Sequence, residues 1–482
     1  MTDQTQREER EERAEPAEQR SARDGSVTIG GRAVPYRAEA ATVTLRDAEG
    51  RAKASVFHVA YTRTDVDDVA GRPVTFAFNG GPGSASVWLH MGLFGPRRVR
   101  LGDAETPPPP PYRTVENEWS ILDVSDLVMI DPVSTGWSRP AEGEGKEQFH
   151  GVREDTEWVA EFIRLWTSRN RRWPSPKFLI GESYGTTRAA SLAGHLQQRH
   201  GMYVNGVALI STVLLFGTIR SGVGNDSPYV HYLPSYATTA WYHGLVRRDS
   251  VEAVAEEAVD FALGDFATVL LQGSRAPDAA RRSALSRAAE LTGLSAAFLE
   301  RCDLRVEPRR FFKELLRERR RTTGRLDSRY TGIDRDAAGE QPEYDPSYAM
   351  IHGPYTAAVN DYLRSELGFD TDLLYEILNG DAVSPWRWAE GAYAETASPL
   401  RSAMHHNRSL RVLLASGYYD LATPFCAAEW TIDHLQLDPD VLANVTARRY
   451  PAGHMMYVHE PSLRALRADI GALIAGAQEM EG

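Results

Sequence analysis

Cysteine is scarce in this chain: Cys302 and Cys426 are the two among 482 residues. A disulfide scaffold is excluded, and so is a zinc site built on cysteine clusters. Long apolar runs are missing as well, and none approaches the roughly 18 residues of a membrane span. The opening MTDQTQREEREERAEPAEQRSARDG has no apolar stretch of the kind a secretory signal needs. With neither feature, the expected location is cytoplasmic. Positive charge is in deficit: Lys and Arg number 54 against 66 Asp and Glu, for a net charge of −12. Nucleic acid and anionic membranes are therefore not expected as partners. His405-His406 and the pair His454 and His459 lack metal-ligand spacing, and no phosphate-cradling glycine motif occurs, so no metal or cofactor is expected. Oligomeric state is not readable.

Residues 1–25 are almost all charge, Gln and Ala. They cannot repay their ordering entropy by burial and read as a disordered tail. Beyond them lie the β-rich runs ATVTLRD (41–47) and ASVFHVAYT (54–62). VTFAF (74–78), LVMI (127–130), FLI (178–180), VALI (207–210) and VLLA (412–415) are nearly continuous apolar runs, which suit strands covered on both faces. In 153–169, Trp158, Val159, Phe162, Ile163 and Trp166 share one helical face; in 461–475, Leu463, Leu466, Ile470, Leu473 and Ile474 do the same. Alternating strands and helices predict an α/β domain with a mainly parallel sheet. From 215 to 385 the strands lapse and helix-favouring segments such as 250–272 and 277–293 take over. The expected organisation is a core in two parts, 26–214 and 386–482, around a mostly helical insertion at 215–385. The basic stretch 307–325 reads as a solvated helix, the prolines at 107–111 as an extended loop, and YEILN (375–379) and SPWRW (384–388) as core packing, with part of a substrate cleft as the alternative.

The most informative segment is KFLIGESYGTTRAASLAGHLQQRHG (177–201). A buried strand runs into Gly181-Glu182-Ser183-Tyr184-Gly185 and a helix follows. A G-x-S-x-G at such a junction exposes its serine on a strained turn. A serine hydroxyl needs a base to take its proton, and the base needs a third group to hold its tautomer. Asp420, just past the strand 411–417, and His454, after Pro451-Ala452-Gly453, are the candidates, in the order Ser, Asp, His. Asp131 also follows a strand but precedes Ser183, and His459 stands beside a helix start, where a cap or surface role is expected. An oxyanion needs backbone donors: Tyr184 N–H beside the serine, and a second from the glycine-rich Asn79-Gly80-Gly81-Pro82-Gly83 after an early strand.

NGGPGS (79–84), IDPVSTGWS (130–138), GESYG (181–185), Asp420 and AGHM (452–455) stand in the order seen in the serine carboxypeptidase family. The chain resembles a bacterial member over about 40–475. The resemblance implies an α/β-hydrolase fold with a helical cap. It implies a hydrolase that removes C-terminal residues from peptides through an acyl-enzyme. Ser183 matches the nucleophile, His454 the general base and acid, Asp420 its partner, and Gly81 and Tyr184 the oxyanion donors. Asn79 and Glu182 match positions holding the substrate's free C-terminal carboxylate, with Met455 beside them. A Glu next to a substrate carboxylate must share a proton with it, which implies acid-favoured activity. Three positions depart from the family: Ala77 stands for a Trp, Ser84 for a Cys and Leu93 for a second Glu. With fewer carboxylate contacts, an esterase, amidase or acyltransferase of the same fold is the alternative. A non-enzymatic binding protein on this scaffold is a further one.

Overall fold

The computed structural model describes residues 16–102, 108–389 and 393–478. Residues 1–15 and Pro107, which carry parts of the tail and proline-loop readings, lie outside them. One large sheet organises the chain. Its main strands in chain order are β1 (Arg20–Ile29), β2 (Arg32–Arg46), β3 (Ala52–Arg63), β4 (Val74–Phe78), β5 (Asp126–Ile130), β6 (Lys177–Glu182), β7 (Gly206–Ile210), β8 (Arg411–Gly417) and β9 (Val445–Tyr450), with the two residues Arg139–Pro140 adding a short tenth strand against β3. They lie side by side as β1-β2-β3-β5-β4-β6-β7-β8-β9. The first three pair antiparallel, as does β3 with β5; every pair from β5 to β9 is parallel. Strand order reverses at β4, so the loops leaving β4 and β6 emerge side by side, where open α/β sheets place their sites.

The apolar runs are continuous because both faces are covered. Phe76 and Phe78 point to one side and Ala77 to the other; Leu179 opposes Phe178 and Ile180 in the same way. One face packs on α1 (Val152–Arg169) and α2 (Tyr184–His200), through Val159, Phe162, Ile163, Trp166 and Leu192. Trp158 is half-buried at the edge of that stripe. The other face takes the C-terminal helix Glu460–Gln478, through Leu463, Leu466, Ile470, Leu473 and Ile474. Each such fully buried side chain contributes about 1.5–3 kcal/mol.

Two boundaries differ from the sequence expectation. Residues 20–25, assigned to the tail by their charge, begin β1, whose backbone pairs with β2 while most of its side chains stay in water. An edge strand needs few apolar residues, so composition alone conceals it. The insertion is also not one unit. Helices Ser227–Tyr242, Val251–Phe261 and Asp278–Thr292 share a small core of their own with Phe311 and Phe312. Residues of helix Pro346–Asp361, by contrast, pack with the sheet, through Ile351, Tyr355 and Val359. The basic stretch is α-helical over Pro308–Glu314, where Phe311 and Phe312 are buried, and adds a single 3-10 turn at Arg317–Arg319. No helix among the described residues is long and apolar enough to cross a membrane.

Candidate active site

Ser183 stands between β6 and α2 with φ 60° and ψ −129°. That strained conformation is enforced from both sides. A Cβ on Gly181 would lie 1.9 Å from Gly185 O, and one on Gly185 would lie 2.7 Å from Phe78 O. The turn is pinned by Ser183 N–H donating to Ile210 O (2.9 Å) and by Thr186, which donates its N–H (2.8 Å) and its hydroxyl (2.7 Å) to Ser183 O.

Asp420 follows β8 and is fully buried. Its Oδ1 accepts from Ala422 N–H (2.8 Å) and Thr423 N–H (3.0 Å), and its Oδ2 from the Thr423 hydroxyl (2.8 Å). The same Oδ2 lies 2.7 Å from His454 Nδ1. Burial pushes the His454 pKa down, but the charge and hydrogen bond of Asp420, joined by Glu182, outweigh it and leave the imidazole above its ordinary 6.5. His454 Nε2 is the nitrogen left for a serine proton, since Nδ1 is committed to Asp420.

The glycine-rich loop after β4 crosses the N-terminus of α2. A Cβ on Gly80 would lie 2.4 Å from Tyr184 N, so backbone touches backbone. Tyr184 opens α2, and its N–H has no acceptor within the helix. Gly81 holds φ 102°, which glycine adopts without strain. We expect Gly80→Ala to lower kcat/KM on a peptide by at least about 10²-fold, the loss of one oxyanion donor. An unchanged rate would show that the loop has room to shift.

Asn79 and Glu182 meet beneath this loop. Asn79 Oδ1 accepts from Leu89 N–H (3.0 Å), which turns Nδ2 toward Glu182 Oε1 (3.0 Å). Glu182 is buried, and burial pushes its pKa up to about 7, against the lowering effects of His454, Tyr457 and Asn79. Ala77 and Leu93, the departures from the family pattern, are both buried in the apolar core. Ser84 is bound into the fold, accepting from Trp88 Nε1 (2.8 Å).

A cavity of about 480 Å³ joins these groups. Asn79, Gly81, Glu182, Ser183, His454 and Met455 line one side. Arg325, Asp345, Tyr348, Ile351 and Leu378 line the other. Leu378, expected in the core, is 41% exposed and belongs to this wall. Asp131 is elsewhere: it accepts from Ser86 N–H (2.8 Å) and the Tyr375 hydroxyl (2.8 Å), and burial raises its pKa to about 6. The His459 ring bonds the Ser462 hydroxyl (2.8 Å) at the start of the last helix. Among the described residues no group of three or more His, Cys, Asp or Glu is placed to hold a metal ion.

One element escaped the sequence reading. Residues 325–329 of the insertion lie between the Asp420 and His454 loops and bond to both. Leu421 N–H donates to Arg325 O (3.0 Å), Ser328 N–H to Tyr419 O (3.0 Å) and His454 N–H to Leu326 O (2.6 Å). Asp327 accepts from Gly453 N–H (3.1 Å), and Arg329 donates to Pro451 O (3.0 Å). RLDSR carries no motif, and these contacts span about a hundred residues of chain, so no local signal existed to find it.

A sequence model of a family described as serine carboxypeptidase matches residues 43–456. Among solved structures, the chain is similar to Kex1(delta)p, a prohormone-processing carboxypeptidase from Saccharomyces cerevisiae, at 16% identity over 91% of each chain and a TM-score of 0.57. A proline iminopeptidase from Mycobacterium smegmatis aligns at 11% identity over 95% of this chain and 100% of its own, with a TM-score of 0.38. No curated protein matches by sequence. The sheet, its crossovers and the helices on both faces are those of an α/β-hydrolase.

Proposed function

The chain belongs to the serine carboxypeptidase family and is a serine-type carboxypeptidase acting on peptides, and from that premise we propose how its residues divide the work. Ser183 Oγ attacks the last peptide carbonyl while His454 Nε2 takes its proton. Asp420 holds the imidazole in the right tautomer and stabilises the imidazolium. The N–H groups of Gly81 and Tyr184 receive the oxyanion. His454 returns the proton to the departing amino acid, and a water activated by the same ring hydrolyses the acyl-enzyme. The observation that supports this reading best is the 2.7 Å bond between His454 and Asp420, at a cavity that Ser183 also lines.

Asn79 and Glu182 hold the free carboxylate of the substrate. That carboxylate is ionised at neutral pH. It binds beside Glu182 only when Glu182 carries a proton to donate; two negative charges there repel. Because burial holds Glu182 near 7, it is protonated below that pH and loses its proton as pH rises through it. His454 must be neutral to act, and its raised pKa places that requirement above 6.5. The two groups titrate as a coupled pair. For a peptide with a free C-terminus we expect kcat/KM to follow a narrow bell near pH 7. For the C-terminal amide of the same peptide the alkaline limb should be missing. Glu182→Gln should remove that limb for the acid substrate too. If the amide is cleaved as well as the acid, with one pH profile for both, Glu182 does not read the carboxylate and the esterase or amidase reading replaces this one. A reaction running near neutrality suits a cytoplasmic setting.

A further inference from the structure

Two buried polar atoms beside this site lack a hydrogen bond of ordinary length: Glu182 Oε2 and the hydroxyl of Tyr457. They belong to neighbouring groups. The phenol acts on the carboxyl and the carboxyl on the phenol, in opposite senses. Buried polar atoms are seldom left unpaired, and two in neighbouring groups beside a binding cavity call for an explanation.

The Tyr457 ring is tightly seated. It packs over Gly92, where a Cβ would lie 2.5 Å from Tyr457 Cε2 and 2.6 Å from the Tyr355 hydroxyl. Leu93, the next residue, is wholly apolar and buried in the same cluster. Glu182 thus has no second carboxyl beside it from this segment. The titratable groups that face it are His454 and Tyr457 from the loop after β9, Asp420 from the loop after β8, and Tyr355 from helix Pro346–Asp361. His454 is committed to Asp420.

We propose that Tyr457 is a positioning residue for carboxylate recognition, its hydroxyl serving Glu182 as a permanent donor that sets how high in pH the site still accepts a terminal carboxylate. This rests on the assignment of Glu182 to the substrate carboxylate. Asn79 occupies Oε1, so the proton of neutral Glu182 resides on Oε2, the oxygen left without an ordinary partner next to Tyr457. When Glu182 ionises, Oε2 becomes an acceptor and Tyr457 closes on it. Burial drives the phenol pKa well above 10, so the hydroxyl remains a donor throughout the working range. A donor that meets only the ionised carboxyl favours ionisation. Tyr457 therefore ends the accepting state earlier on the alkaline side than burial alone would.

The test is Tyr457→Phe, which keeps the ring and its packing. The acid and amide forms of one N-blocked dipeptide are followed from pH 5 to 9, with Glu182→Gln and the double variant alongside. The alkaline limb of kcat/KM for the acid form should move up by about one pH unit, the worth of a hydrogen bond to a charged group. At pH 8 the variant should then outperform the wild type on the acid form alone. The amide profile should stay in place, and Tyr457→Phe should move no limb in the Glu182→Gln background. A lower rate with an unmoved limb would overturn the proposal and leave Tyr457 as packing. A wild type indifferent to the carboxylate would instead overturn the Glu182 assignment, and this proposal with it. The Glu182→Gln profile, measured with Tyr457 intact, separates those two failures.

Discussion

Turnover of a peptide with a free C-terminus should fall by about 10⁶-fold in Ser183→Ala, with KM nearly unchanged. Ser183 lies on a turn that two glycines hold at positive φ, at the mouth of the cavity that His454 also lines. Alanine fits that turn without disturbing Asn79, Glu182 or the loop above them, so substrate binding survives. The remaining rate comes from the oxyanion donors and from binding. Asp420→Asn should cost about 10⁴-fold in kcat by a different route. The asparagine keeps the two backbone donors on one side, but its amide cannot hold His454 Nδ1 as a donor. The imidazole then adopts the wrong tautomer and Nε2 no longer accepts the serine proton. Single-turnover measurements with active-site titration would check both. A Ser183→Ala rate within about 10²-fold of wild type would mean that another group makes the first attack.

Arg188→Met should destabilise the protein by about 3–5 kcal/mol, the usual consequence of breaking a buried ion pair. Arg188 on α2 is buried and holds Asp155 on α1 by two bonds, of 2.7 and 3.1 Å. A third bond, 2.6 Å, reaches the carbonyl of Asn79. Its guanidinium also lies 5.3 Å from the ring centres of Phe78 and Tyr184. Methionine fills the space but leaves the carboxyl of Asp155 uncompensated. Burial already pushes that carboxyl above its ordinary pKa with the arginine in place. Without the arginine it rises further, so the folded variant binds a proton that the unfolded chain has released. Stability then declines as pH rises from the unfolded carboxyl's value toward the folded one. The deficit should accordingly be smaller near pH 4 than at pH 8. Denaturant unfolding at both pH values would check this, and a loss below about 1 kcal/mol at pH 8 would show that the pair is dispensable. Adding Asp155→Leu should recover much of the loss, since no buried charge remains. Activity should fall further than stability explains, because Asn79 has lost the donor that fixes its backbone.

The legible parts of the sequence were those in which local pattern and final environment agree. The apolar runs of β4 to β8 read as covered strands because helices do lie on both faces. Ser183, Asp420 and His454 stood out because each follows a strand at the same edge of the sheet, and the structure places Ser183 and the Asp420-bonded His454 at one cavity. Where the determinant is spatial, the sequence was silent. Tyr457 is one aromatic residue among twenty tyrosines until its hydroxyl is seen beside Glu182. Residues 20–25 looked like tail because the bonds that order them come from the backbone of β2. The insertion reads as one piece in sequence because helical periodicity does not say which core a helix serves.

The clasp at 325–329 bears on how such an enzyme diversifies. Helix Asp278–Thr292 packs within the outer lobe, lines no part of the cavity and could be exchanged for another without touching the site. The five residues that join the loops of Asp420 and His454 do not share that freedom, because replacing them disturbs the base itself. Within one continuous insertion, then, a helix that is free to change stands beside a short stretch that must stay with the reaction centre. Chimeras should work when the splice points fall outside that stretch and fail when they divide it.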